Sequence, residues 1–310
     1  MRFYLVRLIG RVRWGSCTDH RNLIKKLGDC MKKKKRQFND ILFSWYGRYG
    51  RSLPWRKTAD PYSILVSEIM LQQTQVSRVL PKYGEFLRCF PTAAALARNS
   101  LGAVLRVWSG LGYNRRAKFL WETAVLIQKR HKGMFPNKRE ELLRLPGVGS
   151  ATASALLAFS FGLNEPMIDT NVRRVLSRVF FKDCPPSDNA LYSFAKPLIP
   201  KKKGKEWNWA VIDVGALYCK AIGHSSDCPF QGLHGVVKDF RYKKPPKRFS
   251  GSDRFYRGKV MALLTQHKQG YTMAALRRKI QLDSERFYKV IFALEKETLV
   301  KKRGSILSLP

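Results

Sequence analysis

Leu145-Pro146-Gly147-Val148-Gly149 reads as a hairpin whose two glycines let backbone N–H groups face outward, because no Cβ stands over them. The small-residue segment from Ser150 reads as a helix, and its positive N-terminal end lies at that hairpin, ready for an anion. A phosphate is the natural guest. Asp169 follows Leu145 by 24 residues. A carboxylate placed there faces the sugar of the same nucleotide, so the hairpin would grip a nucleic-acid backbone and the aspartate would work on it. The alternative is a helix–turn–helix with an ordinary acidic residue in the next loop, since Gly-x-Gly alone is a weak signal.

Composition favours the first reading. The chain has 310 residues and a net charge of +37, from 59 Lys+Arg against 22 Asp+Glu. Such a field attracts polyanions and gives strong non-specific nucleic-acid affinity. An anionic membrane surface or a basic source proteome are the rival explanations. No stretch approaches the roughly 18 apolar residues of a membrane span. The six cysteines (Cys17, Cys30, Cys89, Cys184, Cys219 and Cys228) are scattered in a chain large enough to build a core without staples. Reduced thiols and a cytoplasmic home follow, nucleoid-associated in a bacterium. In residues 1–30, Arg7, Arg11 and Arg13 interrupt any apolar run, which argues against a secretory signal. The segment reads as an extension from a start chosen too far upstream, or as an Arg-rich presequence. Without it the charge is still +32, because it holds 7 basic and 2 acidic residues.

Helical periodicity runs through the elements that must position these groups. Phe38, Ile41, Leu42, Trp45 and Tyr46 mark one apolar face. A helix or helix pair spans Pro61–Tyr83, and Thr92 caps a short one. Further helices are expected at Leu101–Val107, Arg115–Arg130, Lys138–Arg144, Ser150–Phe161, Val172–Phe180, Asp188–Leu198 and Trp207–Cys219. The body at 31–230 is therefore mainly α. A basic Pro/Lys linker at 231–251 contains Lys243-Lys244-Pro245-Pro246-Lys247-Arg248. Residues 252–310 read as a winged-helix-like module: helices Ser252–Gln266, Met273–Ile280 and Ser284–Glu297, then strands Leu299–Lys301 and Ile306–Leu309. Such modules contact DNA or proteins.

Four stretches then acquire a joint meaning. They are Arg51-Ser52-Leu53-Pro54-Trp55-Arg56, the run Val66-Ser67-Glu68-Ile69-Met70-Leu71-Gln72-Gln73-Thr74-Gln75-Val76, the hairpin, and Met167-Ile168-Asp169-Thr170-Asn171-Val172-Arg173-Arg174-Val175. In this order they closely resemble the helix-hairpin-helix (HhH-GPD) base-excision DNA glycosylases over residues 36–230. The Ser67–Gln75 run and Gly110-Leu111-Gly112-Tyr113 resemble the adenine-glycosylase branch. The resemblance implies a two-lobed helical fold and a flipped-out target base. It implies Glu68 as proton donor to the departing base and Asp169 as the carboxylate facing the sugar, a division of labour known in other glycoside hydrolysis. Glu68 stands beside Ile69, Met70 and Leu71, and desolvation there favours its acid form. The resemblance also gives Asn171 an orienting role, with a helix N-cap as the alternative. It places Arg51, Leu53, Trp55 and Arg56 at the base pocket, a core tryptophan with surface arginines being the competing account. It makes Gln73 and Tyr113 duplex wedges, and Gln72, Leu145, Gly147, Val148, Gly149 and Ala151 part of the DNA-binding surface.

Three departures qualify the likeness. Bifunctional members carry a nucleophilic lysine where this chain has Ala151, so water is the expected nucleophile and an abasic site the product. The family's four-cysteine motif for a 4Fe–4S cluster retains only Cys219 and Cys228, so no cofactor is expected. Cys219, His224, Cys228 and His234 are zinc-ligand types at irregular spacing, and a loop held by packing alone is the alternative. The Nudix-like domain that inspects 8-oxoguanine in long members is replaced by residues 252–310. The implied activity is monofunctional excision of adenine mispaired with 8-oxoguanine or guanine, by a monomer on double-stranded DNA. A thymine/uracil glycosylase, or an inactive DNA-binding protein, are the alternatives.

Overall fold

The computed structural model describes residues 17–181, 186–220, 222, 224–234 and 249–310. Arg7, Arg11, Arg13, Cys184 and the Lys243–Arg248 run lie outside the described residues.

Helix α1 spans Cys17–Tyr49, continuous across residue 30, where the sequence suggests a boundary. The expected pair over Pro61–Tyr83 is indeed two helices, α2 (Pro61–Leu71) and α3 (Val76–Cys89), preceded by a 3-10 turn at Pro54–Arg56. Then follow α4 (Ala93–Arg98), α5 (Leu101–Trp108), α6 (Arg115–His131), α7 (Arg139–Leu142), α8 (Ser150–Phe159), α9 (Thr170–Phe181), α10 (Asp188–Ala195) and α11 (Gly204–Leu217). The Lys138–Arg144 expectation shrinks to the single turn of α7. Thr92 caps α4, its Oγ1 accepting from the Ala95 N–H at 3.1 Å.

Two apolar cores give two lobes. One gathers Ile64, Val66, Phe86, Trp108, Leu120 and Leu156 from α2–α8. The other joins α1 to α9–α11 through Phe38, Leu42, Val175 and Trp207, with Phe230 stacked on Phe38 at 4.6 Å. Burying an aromatic or leucine side chain contributes about 1.5–3 kcal/mol, so these contacts hold each lobe together. Chain segments at 51–56 and 160–170 cross between the lobes, and the motif carboxylates lie at that seam.

The C-terminal module comprises α12 (Asp253–Gln266), β1 (Tyr271–Thr272), α13 (Met273–Ile280), α14 (Ser284–Lys296), β2 (Lys301–Arg303) and β3 (Ile306–Ser308). Ser252, Thr272 and Asp283 cap its three helices. Its sheet runs β1-β3-β2, antiparallel throughout, with Leu307 paired to both Tyr271 and Lys302. The two-residue β1 is too short to carry an alternating pattern, which is why the sequence announces only the β2–β3 hairpin. Val260, Leu276, Phe287 and Leu307 extend the first lobe's core. The chain end seats against α5: the Gly102 N–H donates to the Pro310 carbonyl at 3.1 Å, and a Cβ on Gly102 would stand 2.4 Å from that oxygen.

Candidate active site

Helix α2 is built to bury a carboxyl. Asp60 caps it, accepting from the Tyr62 and Ser63 N–H groups, and Pro61 sits at its first position, where no N–H is needed. Ile64, Leu65, Val66, Ile69 and Met70 are buried around the helix, so Glu68 is buried with them at 9% exposure. Loss of hydration raises its pKa to about 8, the Asp169 charge adds to the rise, and Arg56 partly offsets it. Glu68 is therefore an acid that holds its proton at neutral pH, with a second carboxylate near enough to feel.

Asp169 is the N-cap of α9. Its Oδ1 accepts from the Val172 N–H at 2.7 Å, and its carbonyl accepts from the Arg173 N–H at 2.9 Å. The cap is thus Asp169 and not Asn171. Asn171 instead donates Nδ2–H to Asp169 Oδ2 at 2.9 Å, and its own Oδ1 accepts from Arg174 Nη2 at 2.6 Å. Arg174 is anchored in turn on the Cys219 and Gly215 carbonyls. A Cβ at Gly215 would lie 2.6 Å from Asn171 Cβ, so only glycine lets α11 come this close. Burial raises the Asp169 pKa, while the Val172 and Asn171 hydrogen bonds and the Arg174 charge work against the rise.

The expected base pocket looks different. Arg51 and Arg56 both bind Asp213 of α11, a fully buried residue that sequence reading missed. Arg51 donates backbone N–H and Nε–H to it at 3.0 and 2.7 Å, and Arg56 donates Nη1–H and Nη2–H at 2.8 and 2.7 Å. Neither is a surface arginine aimed at a base edge, because the buried carboxylate takes both guanidinium groups. Those pairs hold the Asp213 pKa below the usual carboxylate value despite its burial. Leu53 and Trp55 are buried, Trp55 edge-on to Tyr83 at 5.4 Å. They are core residues that hold the 51–56 segment in place, rather than open pocket walls. The one available signal for Asp213 was a lone acid among Trp207, Trp209, Val211 and Val214 in a chain with so large a cationic excess.

In the hairpin, Leu145 and Val148 are also buried. Their side chains anchor the turn instead of facing a ligand. Gly147 has φ +74°, and a Cβ there would stand 2.9 Å from Phe119 Cβ. Thr123 Oγ1 and Gln72 Nε2 donate to the Pro146 and Gly147 carbonyls at 2.9 and 3.2 Å, which turns the hairpin's acceptors inward. Gly149 is exposed, a Cβ there would meet nothing within 4 Å, and no side chain caps α8 at that residue. The first N–H groups of α8 thus have no side-chain cap from that residue. Ala151, in that first turn, is half-buried.

Gln73 and Tyr113 are both exposed, and both hold left-handed backbone, with φ +56° and +49°. Such geometry in non-glycine residues is uncommon and persists where surroundings enforce it. Here the enforcing group is Arg116, unnoticed in the sequence. It is buried, and its Nη1 donates to the Ile69, Met70 and Gln72 carbonyls at 3.0, 2.8 and 2.5 Å. Its Nη2 donates to Thr74 Oγ1 and the Leu111 and Gly112 carbonyls at 3.0, 3.2 and 3.2 Å. One guanidinium therefore ties the Gln73 turn to the Tyr113 turn. From the C-terminal module Arg254 stacks on Tyr113 at 4.9 Å and donates to its Oη at 2.5 Å. Arg116→Met is expected to destabilise the chain by about 2–4 kcal/mol, since it strands several buried acceptors at once. A lowered urea midpoint checks this. Arg116→Lys should recover only part of the loss, because an ammonium lacks the planar fork.

The 4Fe–4S cluster implied by the likeness does not fit the residues present. Cys219 and Cys228 are the only thiols in this region among the described residues, and imidazoles of His224 and His234 stand beside Cys228. Four thiolates do not come together there among the described residues.

Residues 66–200 match the model of the HhH-GPD superfamily base excision DNA repair protein. An adenine DNA glycosylase of Mycolicibacterium smegmatis is 38% identical over 242 residues, covering 76% of this chain and 83% of that one. An adenine DNA glycosylase of Buchnera aphidicola (subsp. Baizongia pistaciae) is 37% identical over 198 residues, and the chain spans only 56% of its length. A thymine/uracil-DNA glycosylase of Pyrobaculum aerophilum is 37% identical over 216 residues, covering 67% of this chain and 93% of that one. Among solved structures, a thermostable thymine-DNA glycosylase superposes with a TM-score of 0.62 at 28% identity, over 66% of this chain and 96% of that one.

Proposed function

Since the chain belongs to the HhH-GPD superfamily of base excision DNA repair proteins, we propose that it is a monofunctional DNA glycosylase that hydrolyses the N-glycosidic bond of mispaired adenine. The observation that carries this reading is Glu68: an acid buried among the apolar side chains of α2, where loss of hydration and the nearby Asp169 carboxylate raise its pKa. Cleaving the bond puts negative charge on the departing base and positive charge on the sugar. Glu68 gives its proton to the base, Asp169 stabilises the oxocarbenium-like sugar, and the water that adds to the anomeric carbon returns a proton to the Glu68 carboxylate. Arg56, held by Asp213, offsets the charge left on Glu68. The open start of α8 takes a backbone phosphate, and Gln73 and Tyr113 fill the space left by the extruded nucleotide. Ala151 has no nucleophile for a Schiff base, so an intact strand with an abasic site is the product.

A panel of duplexes holding A opposite 8-oxoguanine, A opposite G, T opposite G and U opposite G tests the substrate. Excision at adenine, revealed as strand breaks only after alkali, is expected. Cleavage confined to T or U opposite G would replace adenine with the specificity named for the Pyrobaculum relative. Borohydride trapping of a covalent complex would overturn the hydrolytic mechanism.

A further inference from the structure

We propose that Cys219, His224, Cys228 and His234 bind a zinc ion that fixes the segment after α11 against the helix carrying Asp169. In sequence their spacing is irregular. In the fold three of them converge. One ligand atom each of His224, Cys228 and His234 lie within 4.8 Å of one another, and the two imidazoles meet edge-on at 4.8 Å between centroids. Cys219 lies across Arg178 from that trio, with Arg178 Nη1 2.9 Å from Cys219 Sγ and 3.3 Å from His224 Nδ1, and among the described residues it is the nearest thiol to complete the set. Both cysteines are buried, at 2% and 5% exposure.

The donor chemistry selects the ion. Two sulfurs and two imidazole nitrogens suit zinc, whereas calcium and magnesium need oxygen ligands. Two thiolates neutralise the charge of the ion. Arg178 then donates to the Cys219 sulfur as an outer partner that fixes its orientation. The chain path is already shaped for this. Cys228 N–H donates to the Ser225 carbonyl and Gln231 N–H to the Cys228 carbonyl, and the 3-10 turn Gln231–Leu233 carries His234 back over Cys228. Phe230, buried on Phe38, anchors that turn. Tyr218 and Leu233 pack on the same core, and a metal crosslink would add to the order they give.

The location gives the ion a consequence. The Cys219 carbonyl holds Arg174, Arg174 holds Asn171, and Asn171 holds the Asp169 carboxylate. Ordering the segment after α11 therefore bears on Asp169 through three hydrogen-bonded steps.

Elemental analysis of the full chain, purified without chelator, is expected to give about one zinc per chain. Cys228→Ser and His234→Ala should each lower that content at least about tenfold. Adding cobalt(II) to metal-stripped wild-type chain should give the intense visible bands of tetrahedral sulfur–nitrogen coordination, a readout independent of whether the variants fold. Chelation should also lower the thermal midpoint by several degrees. Substoichiometric zinc in the wild type, unchanged zinc in both variants, iron in place of zinc, or octahedral cobalt spectra would each overturn the site. None of these measurements depends on the glycosylase activity.

Discussion

Asp169→Asn yields a chain that still binds duplex DNA and excises about 10³-fold more slowly, a loss of about 4 kcal/mol in barrier stabilisation. The amide keeps the size of the carboxylate and can still accept the Val172 N–H that caps α9. It cannot offer a negative charge to a sugar that is becoming positive. The hydrogen-bond relay behind it has a fixed polarity: Arg174 donates to Asn171 Oδ1, and Asn171 donates Nδ2–H to Asp169 Oδ2. An amide at 169 sets a donor against a donor unless Asn171 flips, and a flipped Asn171 then presents its NH₂ to Arg174. One of the two contacts fails in either arrangement, so a stability cost of about 1–3 kcal/mol accompanies the loss of activity. The phosphate contacts proposed for α8 are untouched, and binding at a single fixed salt concentration should change little. Single-turnover rates on an adenine:8-oxoguanine duplex, with gel-shift titrations under the same conditions, separate the two effects. A rate within about tenfold of wild type would remove Asp169 from the role assigned by the two-carboxylate scheme.

Asp169 and Glu68 were legible in the sequence because each sits in a run whose residue types are themselves unusual. The fold was legible for a similar reason, since long helices announce themselves by periodicity and by caps such as Thr92 and Thr272. The residues behind the site were not. Asp213 makes its partners with Arg51 and Arg56, far away along the chain, and nothing in the local pattern of α11 names them. Arg116 looks like any arginine of a basic helix until six acceptors from two separate turns are seen around it. The motif assigns Leu53, Trp55, Leu145 and Val148 to ligand-facing surfaces. Their side chains go to the core instead, because a large apolar side chain gains more from burial than a motif can signal. The motif marks the right segments. Which atoms in each segment face outward is a tertiary fact.

Glu68→Gln should show activity and stability moving in opposite directions. Glutamine has no proton to give to the departing base, and loss of a positioned general acid costs about 10²–10⁴ in rate. The fold, however, gains. In the unfolded chain Glu68 ionises near the ordinary value of 4.5, and in the folded chain near 8. Between these values the folded state holds a proton that the unfolded state has released, so each increment of pH favours unfolding. The wild type therefore has its full stability at this residue below the lower value and loses it progressively up to the higher one. A neutral glutamine does not titrate and escapes that loss. Every tenfold difference in proton affinity between the two states corresponds to about 1.4 kcal/mol, and after allowing for imperfect hydrogen bonding of the new amide the gain is about 2–4 kcal/mol above pH 8. Thermal midpoints of variant and wild type should thus diverge as pH rises and meet at about pH 5. A gap that is the same at both ends of the range would mean that packing, not ionisation, separates the two proteins. The wild-type excision rate carries the same signature, falling as pH rises through about 8, where Glu68 gives up its proton. A rate that stays flat through that region would show that the buried acid is not the group that protonates the base.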